Sequence, residues 1–361
     1  MSTNESQSAA NETQRMTETQ HMTQQPRVAV LGAGSMGTTF AMVLADAGCD
    51  VTLWGRDAAV LDAVETTHRN EKYLPGVQLP PMHGTTDPAV ALRGASIVVV
   101  SVPSQVARAT LESMKDLVHE LAAPDAVVVS LMKGVELGTD KRMSQVMAEV
   151  LDLPDERVAV VSGPNLAPEI AARQPTATVV ASRSEATAQR VAAACSTGYF
   201  RPYTNTDLVG VELCGAVKNI IALAAGMAQG QGLGWNTLAT LITRGLVEIT
   251  RLGLALGADA ATFSGLAGMG DLMATCASPL SRNHRLGKHV GEGLTLAEAI
   301  KATGGTAEGV KSSESVLELA RAHDVEMPIT AGVVEVLAGT LPLSDLAATL
   351  LARPQKSEVA G

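Results

Sequence analysis

One short loop, Gly32-Ala33-Gly34-Ser35-Met36-Gly37, restricts what this chain can fold into more than any other feature. It follows the β-branched run RVAVL at 27–31 and opens an apolar segment of helical length, SMGTTFAMVLADAG. Between a strand and a helix, the first glycine of such a loop permits the tight turn and the second lets a pyrophosphate approach the backbone. The third lets helix and strand pack closely. The N–H groups and positive dipole at the helix start then face the anion. Out of context the same spacing reads as a plain turn; in this context it predicts dinucleotide binding through Gly32, Gly34 and Gly37.

The rest of the first half repeats the alternation. Strand candidates lie at 27–31, 50–54, 96–102, 126–132, 158–163 and 176–182, separated by helix-length segments. Several are apolar on successive residues, the pattern of parallel strands covered on both faces. After about residue 205 the strand-like runs stop and only helical patterns follow. The prediction is an α/β chain: a Rossmann-type doubly wound sheet at 27–205, then an all-helical C-terminal domain at 206–352. Residues 1–26 are polar and rich in Ser, Thr, Gln and Asn, which predicts a disordered arm without the apolar stretch of a secretory signal. Residues 353–361 read as a flexible tail.

Charge narrows the function classes. A net charge of −10 and an aromatic content of 2% argue against nucleic-acid and anionic-membrane partners. Cys49, Cys195, Cys214 and Cys276 are far apart and show no CxxC or Cys/His ligand spacing, which predicts reduced thiols, a cytoplasmic protein and no metal. The second strand ends in Arg56-Asp57. An arginine there accommodates the 2′-phosphate of NADP, while an acid binds the ribose hydroxyls of NAD. Asp57 reads equally well as the N-cap of the next helix. NADP(H) is favoured and NAD(H) stays open.

The chemistry shows where charge is scarce. Between Glu212 and Arg244 the only charged residue is Lys218; between Asp259 and Arg282 it is Asp271. An ammonium in so apolar a helix is desolvated, which lowers its pKa toward the range of a proton donor and acceptor. The bland alternatives are a lysine snorkelling outward and an aspartate capping a helix. The sharper reading pairs the two, with Thr275 one turn beyond Asp271 on the same face. Lys133 and the segment Gly163-Pro164-Asn165 each follow a strand, where ligands of open α/β sheets bind, and Gly163 and Asn165 offer donors there. Ser281-Arg282-Asn283 reads as a cationic turn suited to phosphate. Together these predict a pocket for a small anionic substrate.

These motifs coincide with a known family. Over about residues 27–340 the chain resembles the bacterial NAD(P)-dependent sn-glycerol-3-phosphate dehydrogenases. The resemblance rests on VLGAGSMG, LMKGVE, SGPNLAPEI, ELCGAVKNIIALAAG, LITRGL, GMGDLMATCASPLSRN and AEGV. It implies reversible reduction of dihydroxyacetone phosphate to sn-glycerol 3-phosphate for glycerophospholipid synthesis, with Lys218 as the proton donor and acceptor. It also implies that Lys133, Gly163, Asn165, Asp271, Ser281, Arg282 and Asn283 line the substrate site. Ser35, Met36, Arg56, Lys133, Ala167, Arg282, Thr306 and Glu308 would contact the nucleotide. Two stretches depart from the family pattern: Trp235 stands where the GLGDN loop has its acid, and Thr306-Ala307-Glu308-Gly309 replaces VVEG. Lys133 is expected to stabilise a developing alkoxide and Asp271 to orient Lys218. A ketopantoate or 3-hydroxyacid reductase, and a non-catalytic NADP sensor, are the competing readings. The apolar helical part permits a homodimer.

Overall fold

The computed structural model describes residues 25–304 and 307–346. Most of the expected N-terminal arm, Thr306 and the 353–361 tail lie outside the described residues. Among the described residues eight strands form one sheet: β1 (Arg27–Leu31), β2 (Asp50–Trp54), β3 (His83–Thr85), β4 (Ile97–Val100), β5 (Val127–Ser130), β6 (Val158–Ser162), β7 (Thr176–Ala181) and β8 (Phe200–Asn205). Their order across the sheet is β3-β2-β1-β4-β5-β6-β7-β8. All neighbours are parallel except β6 and β7, which pair antiparallel, with Val160 opposite Ala181.

The successive apolar residues of the central strands are divided between two cores. Val28, Val30, Val99 and Val129 pack on one face, while Ala29, Leu31, Val98, Val100 and Val128 pack on the other. Burial on both sides is why these strands do not alternate with polar residues.

Two strands escaped the sequence reading. β3 has three residues, one of them Gly84, and β8 (FRPYTN) is a largely solvent-facing edge carrying few apolar residues. The helix-length segment between β4 and β5, SQVARATLESMKDLVHEL, is divided into a 3-10 turn at Ser104–Val106 and the helices Ala107–Glu112 and Lys115–Leu121. The expected parallel sheet is corrected at β7, which returns antiparallel after the short helix Ala167–Ala171 and carries β8 with it.

Beyond Asn205 the described residues are helical. The helix Leu208–Gly230 is long and apolar enough to cross a membrane, but its most apolar window is 94% buried inside the protein: it is the axis of a third core. The helices Trp235–Ala255, Asp271–Ala277, Arg282–Gly291 and Glu308–Ala322 pack around it. Glycines set the closest of these approaches. A Cβ on Gly226 would overlap the His284 carbonyl oxygen, and one on Gly287 would overlap that of Leu223. Backbone therefore meets backbone, and the start of Arg282–Gly291 is drawn against the middle of the central helix. A buried ion pair, Arg142 with Glu212, joins this helix to the segment after β5, and Ser144 N–H donates to Glu212 at 2.7 Å.

Candidate active site

β1 has β2 on one side and β4 on the other, so the chain leaves its neighbours in opposite directions and a crevice opens beyond their carboxyl ends. The glycine loop forms its floor. Gly32 has φ +127° and stands so near the strand-end residue Ser101 that a Cβ would collide with its carbonyl oxygen. Gly37 meets the Gly32 carbonyl in the same way. By contrast, the Cβ position of Gly34 faces open space, leaving room for a ligand directly over the loop. The helix Ser35–Asp46 begins there, with Gly34 as an N-cap that offers no side chain. The crevice has a volume of about 1260 Å³ and reaches from Arg56, past Ser35 and Met36, to Lys133, Lys218 and Arg282. Its length, open glycine floor and unspent helix N-terminus fit a dinucleotide.

At the far end of the crevice the two isolated charges meet. Lys218 is 6% exposed and Asp271 1%. The Lys218 ammonium donates to one oxygen of Asp271 and to the Thr275 hydroxyl at 2.6 Å; the Thr275 hydroxyl in turn donates to Asp271 at 3.2 Å. Lys133 completes the group, donating to the other Asp271 oxygen at 2.6 Å and to the Gly163 carbonyl at 3.2 Å. Asp271 is the first residue of its helix and caps nothing, since Gly270 precedes it as N-cap and no side-chain capping bond is made. The capping alternative is thus excluded. Two ammonium groups share one carboxylate, an arrangement the sequence did not reveal.

Burial dominates the titration here. It pulls the Lys218 ammonium down to about 7, reinforced by the neighbouring Lys133 charge and opposed by Asp271. Burial by itself would raise the Asp271 carboxyl, but Lys133 and Lys218 outweigh it and hold the group below its ordinary value.

The remaining expected residues divide by what their polar atoms do. Gly163 and Asn165 were expected to supply donors. Instead the Gly163 carbonyl accepts from Lys133, and the Asn165 amide nitrogen donates to Thr178 at 2.9 Å, leaving Asn165 Oδ1 buried without a partner among the described residues and able to accept. Ser281 and Arg282 form a helix start rather than a turn: the Ser281 hydroxyl accepts from the His284 N–H at 3.3 Å. Arg282 is exposed on the crevice wall and makes no hydrogen bond or ion pair among the described residues. Asn283 is bonded within the protein, donating to Asn219 Oδ1 at 3.0 Å and accepting from Gly309 N–H at 2.9 Å. It lines the crevice, and these two bonds, which use one N–H and one lone pair of its amide, also hold the helix ends together.

Ala167 begins its short helix on the same wall. Glu308 also lines the crevice and accepts from the Ser104 hydroxyl at 2.6 Å. Asp57 is the N-cap of Ala58–Thr67, accepting from Val60 N–H at 3.4 Å, and pairs with Lys72 at 2.7 Å. Arg56 beside it is exposed and unpaired among the described residues.

Lys72, Tyr73, Ser104, Asn219 and Arg285 also line the crevice and were not anticipated. Asn219 is the exception that the sequence held in view, since it adjoins Lys218 in the same apolar run. Among the described residues no cluster of His, Cys, Asp and Glu is arranged to hold a metal ion.

Comparisons with known proteins agree with this geometry. The profile of the NAD-dependent glycerol-3-phosphate dehydrogenase N-terminus matches residues 27–188, and that of the corresponding C-terminus matches 207–348. A protein of Streptomyces griseus named glycerol-3-phosphate dehydrogenase (NAD(P)+) is 61% identical over 317 residues, covering 88% of this chain and 93% of the relative. One of the same name from Thermobifida fusca is 55% identical, covering 92% and 98%. Among solved structures, glycerol-3-phosphate dehydrogenase of Coxiella burnetii superposes with a TM-score of 0.85 at 37% identity, covering 91% of this chain and 99% of that one.

Proposed function

The chain belongs to the NAD-dependent glycerol-3-phosphate dehydrogenase family, and from that premise we propose how its own residues divide the work. The activity is the reversible, NAD(P)-dependent interconversion of dihydroxyacetone phosphate and sn-glycerol 3-phosphate, which serves glycerophospholipid synthesis. When bound, the nicotinamide supplies or accepts the hydride. Ser35, Met36, Arg56, Ala167 and Glu308 line the crevice that would hold the nucleotide. We assign nucleotide binding to residues 27–205 and substrate binding and proton transfer to 206–352, with Lys133 and Asn165 contributed across that division.

The observation that carries the assignment is Lys218: an ammonium 6% exposed, touching the crevice, with Asp271 and Thr275 fixing its direction. In reduction the Lys218 ammonium gives a proton to the substrate oxygen as the carbonyl becomes a hydroxyl. In oxidation the neutral amine takes that proton back. A value near 7 lets one group do both. Lys133 faces the same oxygen with a positive charge that needs no reorganisation as an alkoxide develops. Asp271 balances both ammonium groups and orients them. Arg282, free on the wall, takes the phosphate, with Ser281 fixing the helix start that presents it. Asn165 Oδ1 accepts from a substrate hydroxyl.

The decisive experiment follows NADPH absorbance with dihydroxyacetone phosphate, using wild type and Lys218→Ala. Turnover should fall sharply in the variant while NADPH affinity persists; full activity would remove Lys218 from the mechanism. The reading extends to a cytoplasmic protein, supported by four free buried cysteines, and to a homodimer, supported by exposed Leu233 and Trp235. Light scattering giving a single-chain mass would overturn the latter.

A further inference from the structure

We propose that Lys72 is a second cation for the 2′-phosphate of NADP(H), resting on Asp57 until that phosphate arrives. The proposal rests on the reading that the crevice binds a dinucleotide over the glycine loop. No motif pointed to Lys72; its position in the fold does.

The turn that carries it, residues 71–73, is fastened to the glycine loop by Asn70. That side chain is 1% exposed, and its amide nitrogen donates to the Ala33 carbonyl at 3.1 Å and to the Thr38 hydroxyl at 2.8 Å. Its Oδ1 accepts from Tyr73 N–H at 3.3 Å, and its backbone carbonyl accepts from Leu74 N–H at 2.8 Å. A buried amide bonded on both sides makes the turn a fixed wall of the crevice, with Lys72 and Tyr73 upon it.

Across from that wall stands the end of β2. An acid here would serve an NAD site by accepting from the ribose hydroxyls. Asp57 is already engaged: one oxygen caps Val60 and the other holds Lys72 at 2.7 Å. Arg56, next to it, has no partner among the described residues. Arg56, Lys72 and Asp57 therefore carry one excess positive charge, set where the ribose of a nucleotide lying over the loop would end.

A phosphate dianion gains both cations. A bare ribose hydroxyl gains neither and leaves Lys72 where it is. The Lys72–Asp57 pair has side-chain exposures of 56% and 40%, so water already screens it and opening it is easy. The flexible lysine stem moves, while Asp57 stays behind as helix cap.

The test is calorimetric titration of the full chain with NADPH, NADH and adenosine 2′,5′-bisphosphate, so that binding is read without turnover. Lys72→Met should raise the dissociation constants of NADPH and the bisphosphate about five- to tenfold and leave that of NADH within about twofold. Lys72→Arg should recover most of the loss. Asp57→Asn should tighten NADPH relative to NADH, because Lys72 no longer leaves a carboxylate. The NADPH advantage should shrink with added salt. Equal weakening of all three ligands by Lys72→Met, or no weakening of any, overturns the Lys72 assignment and leaves the dinucleotide reading intact. Failure of wild type to bind any of them overturns both.

Discussion

The shared carboxylate makes a prediction whose sign can be worked out for two substitutions that push in opposite directions. Lys218 titrates near 7 because burial, the largest influence, disfavours its charge. Set against an ordinary 10.5, that is a displacement on the order of 5 kcal/mol in favour of the neutral amine. Asp271 opposes it and Lys133 adds to it. Wild-type kcat/KM for oxidation should therefore rise with pH up to about 7 and then level, since the base must be neutral. For reduction it should be level below that value and fall above it, since the acid must be charged.

Asp271→Asn removes the negative charge that favours the proton on Lys218. An opposite charge in direct contact is worth about one to three pH units, so both limbs should move toward acid by an amount in that range. Lys133→Met removes a like charge and should move both limbs toward alkali by about one pH unit. Each substitution also lowers the plateau, but a smaller plateau says nothing about which group titrates; the displacement of the limbs does. The assay is initial rate against pH in both directions, with thermal melting to show that each variant is folded. If the limbs stay in place in both variants, or move together in one direction, the group seen in the profile is not a lysine held between these two neighbours.

Three further outcomes follow from other parts of the molecule. Glu212→Gln leaves Arg142 buried without its carboxylate and should cost about 3–5 kcal/mol in urea unfolding; a cost under about 1 kcal/mol would mean that the pair does not tie the central helix to the sheet. Gly37→Ala places a Cβ on the Gly32 carbonyl oxygen and should abolish nucleotide binding or prevent folding, whereas Gly34→Ala, with open space at that position, should fold normally and weaken only the nucleotide; the reverse ranking in thermal melts and titrations would contradict the loop geometry. Burial pushes the Glu248 carboxyl up to about 7, against the Ile329 and Thr330 donors that favour its charge. The folded state thus holds this proton after the unfolded state has released it, so stability falls as pH rises from about 4.5 to about 7, by on the order of 3 kcal/mol. Glu248→Gln should flatten that slope in urea titrations, and an unchanged slope would assign it to other groups.

What the sequence could reveal depended on whether a residue's cause was local. β1 was legible to the residue because a doubly buried strand leaves no alternation, β2 because Asp50, Val51, Thr52 and Leu53 alternate half-exposed and buried, and the glycine loop because φ at Gly32 admits little else. β8 was not, since an edge strand facing water needs few apolar residues. Lys218 and Asp271 stood out because a charge in an uncharged run is unexplained by the helix that carries it. Their explanation lies 53 residues away in the chain, and each is the other's. Lys133 was placed by the sheet, but its bond to the same carboxylate joins residues 138 apart and leaves no local trace.

The same distinction explains what was missed. Lys72 sits in an ordinary polar turn, where a lysine needs no explanation, and only the buried amide of Asn70 shows that the turn belongs to the crevice. Asn283 was expected at the substrate site from the family resemblance; it does line the crevice, and what the sequence did not show is that its amide also bonds Asn219 and Gly309. Those bonds hold the helix start of Arg282 against the Lys218 helix and the helix that begins at Glu308. Asn283→Ala should therefore weaken substrate phosphate binding, and Asn283→Asp should not rescue it, because a carboxylate cannot donate to Asn219 Oδ1.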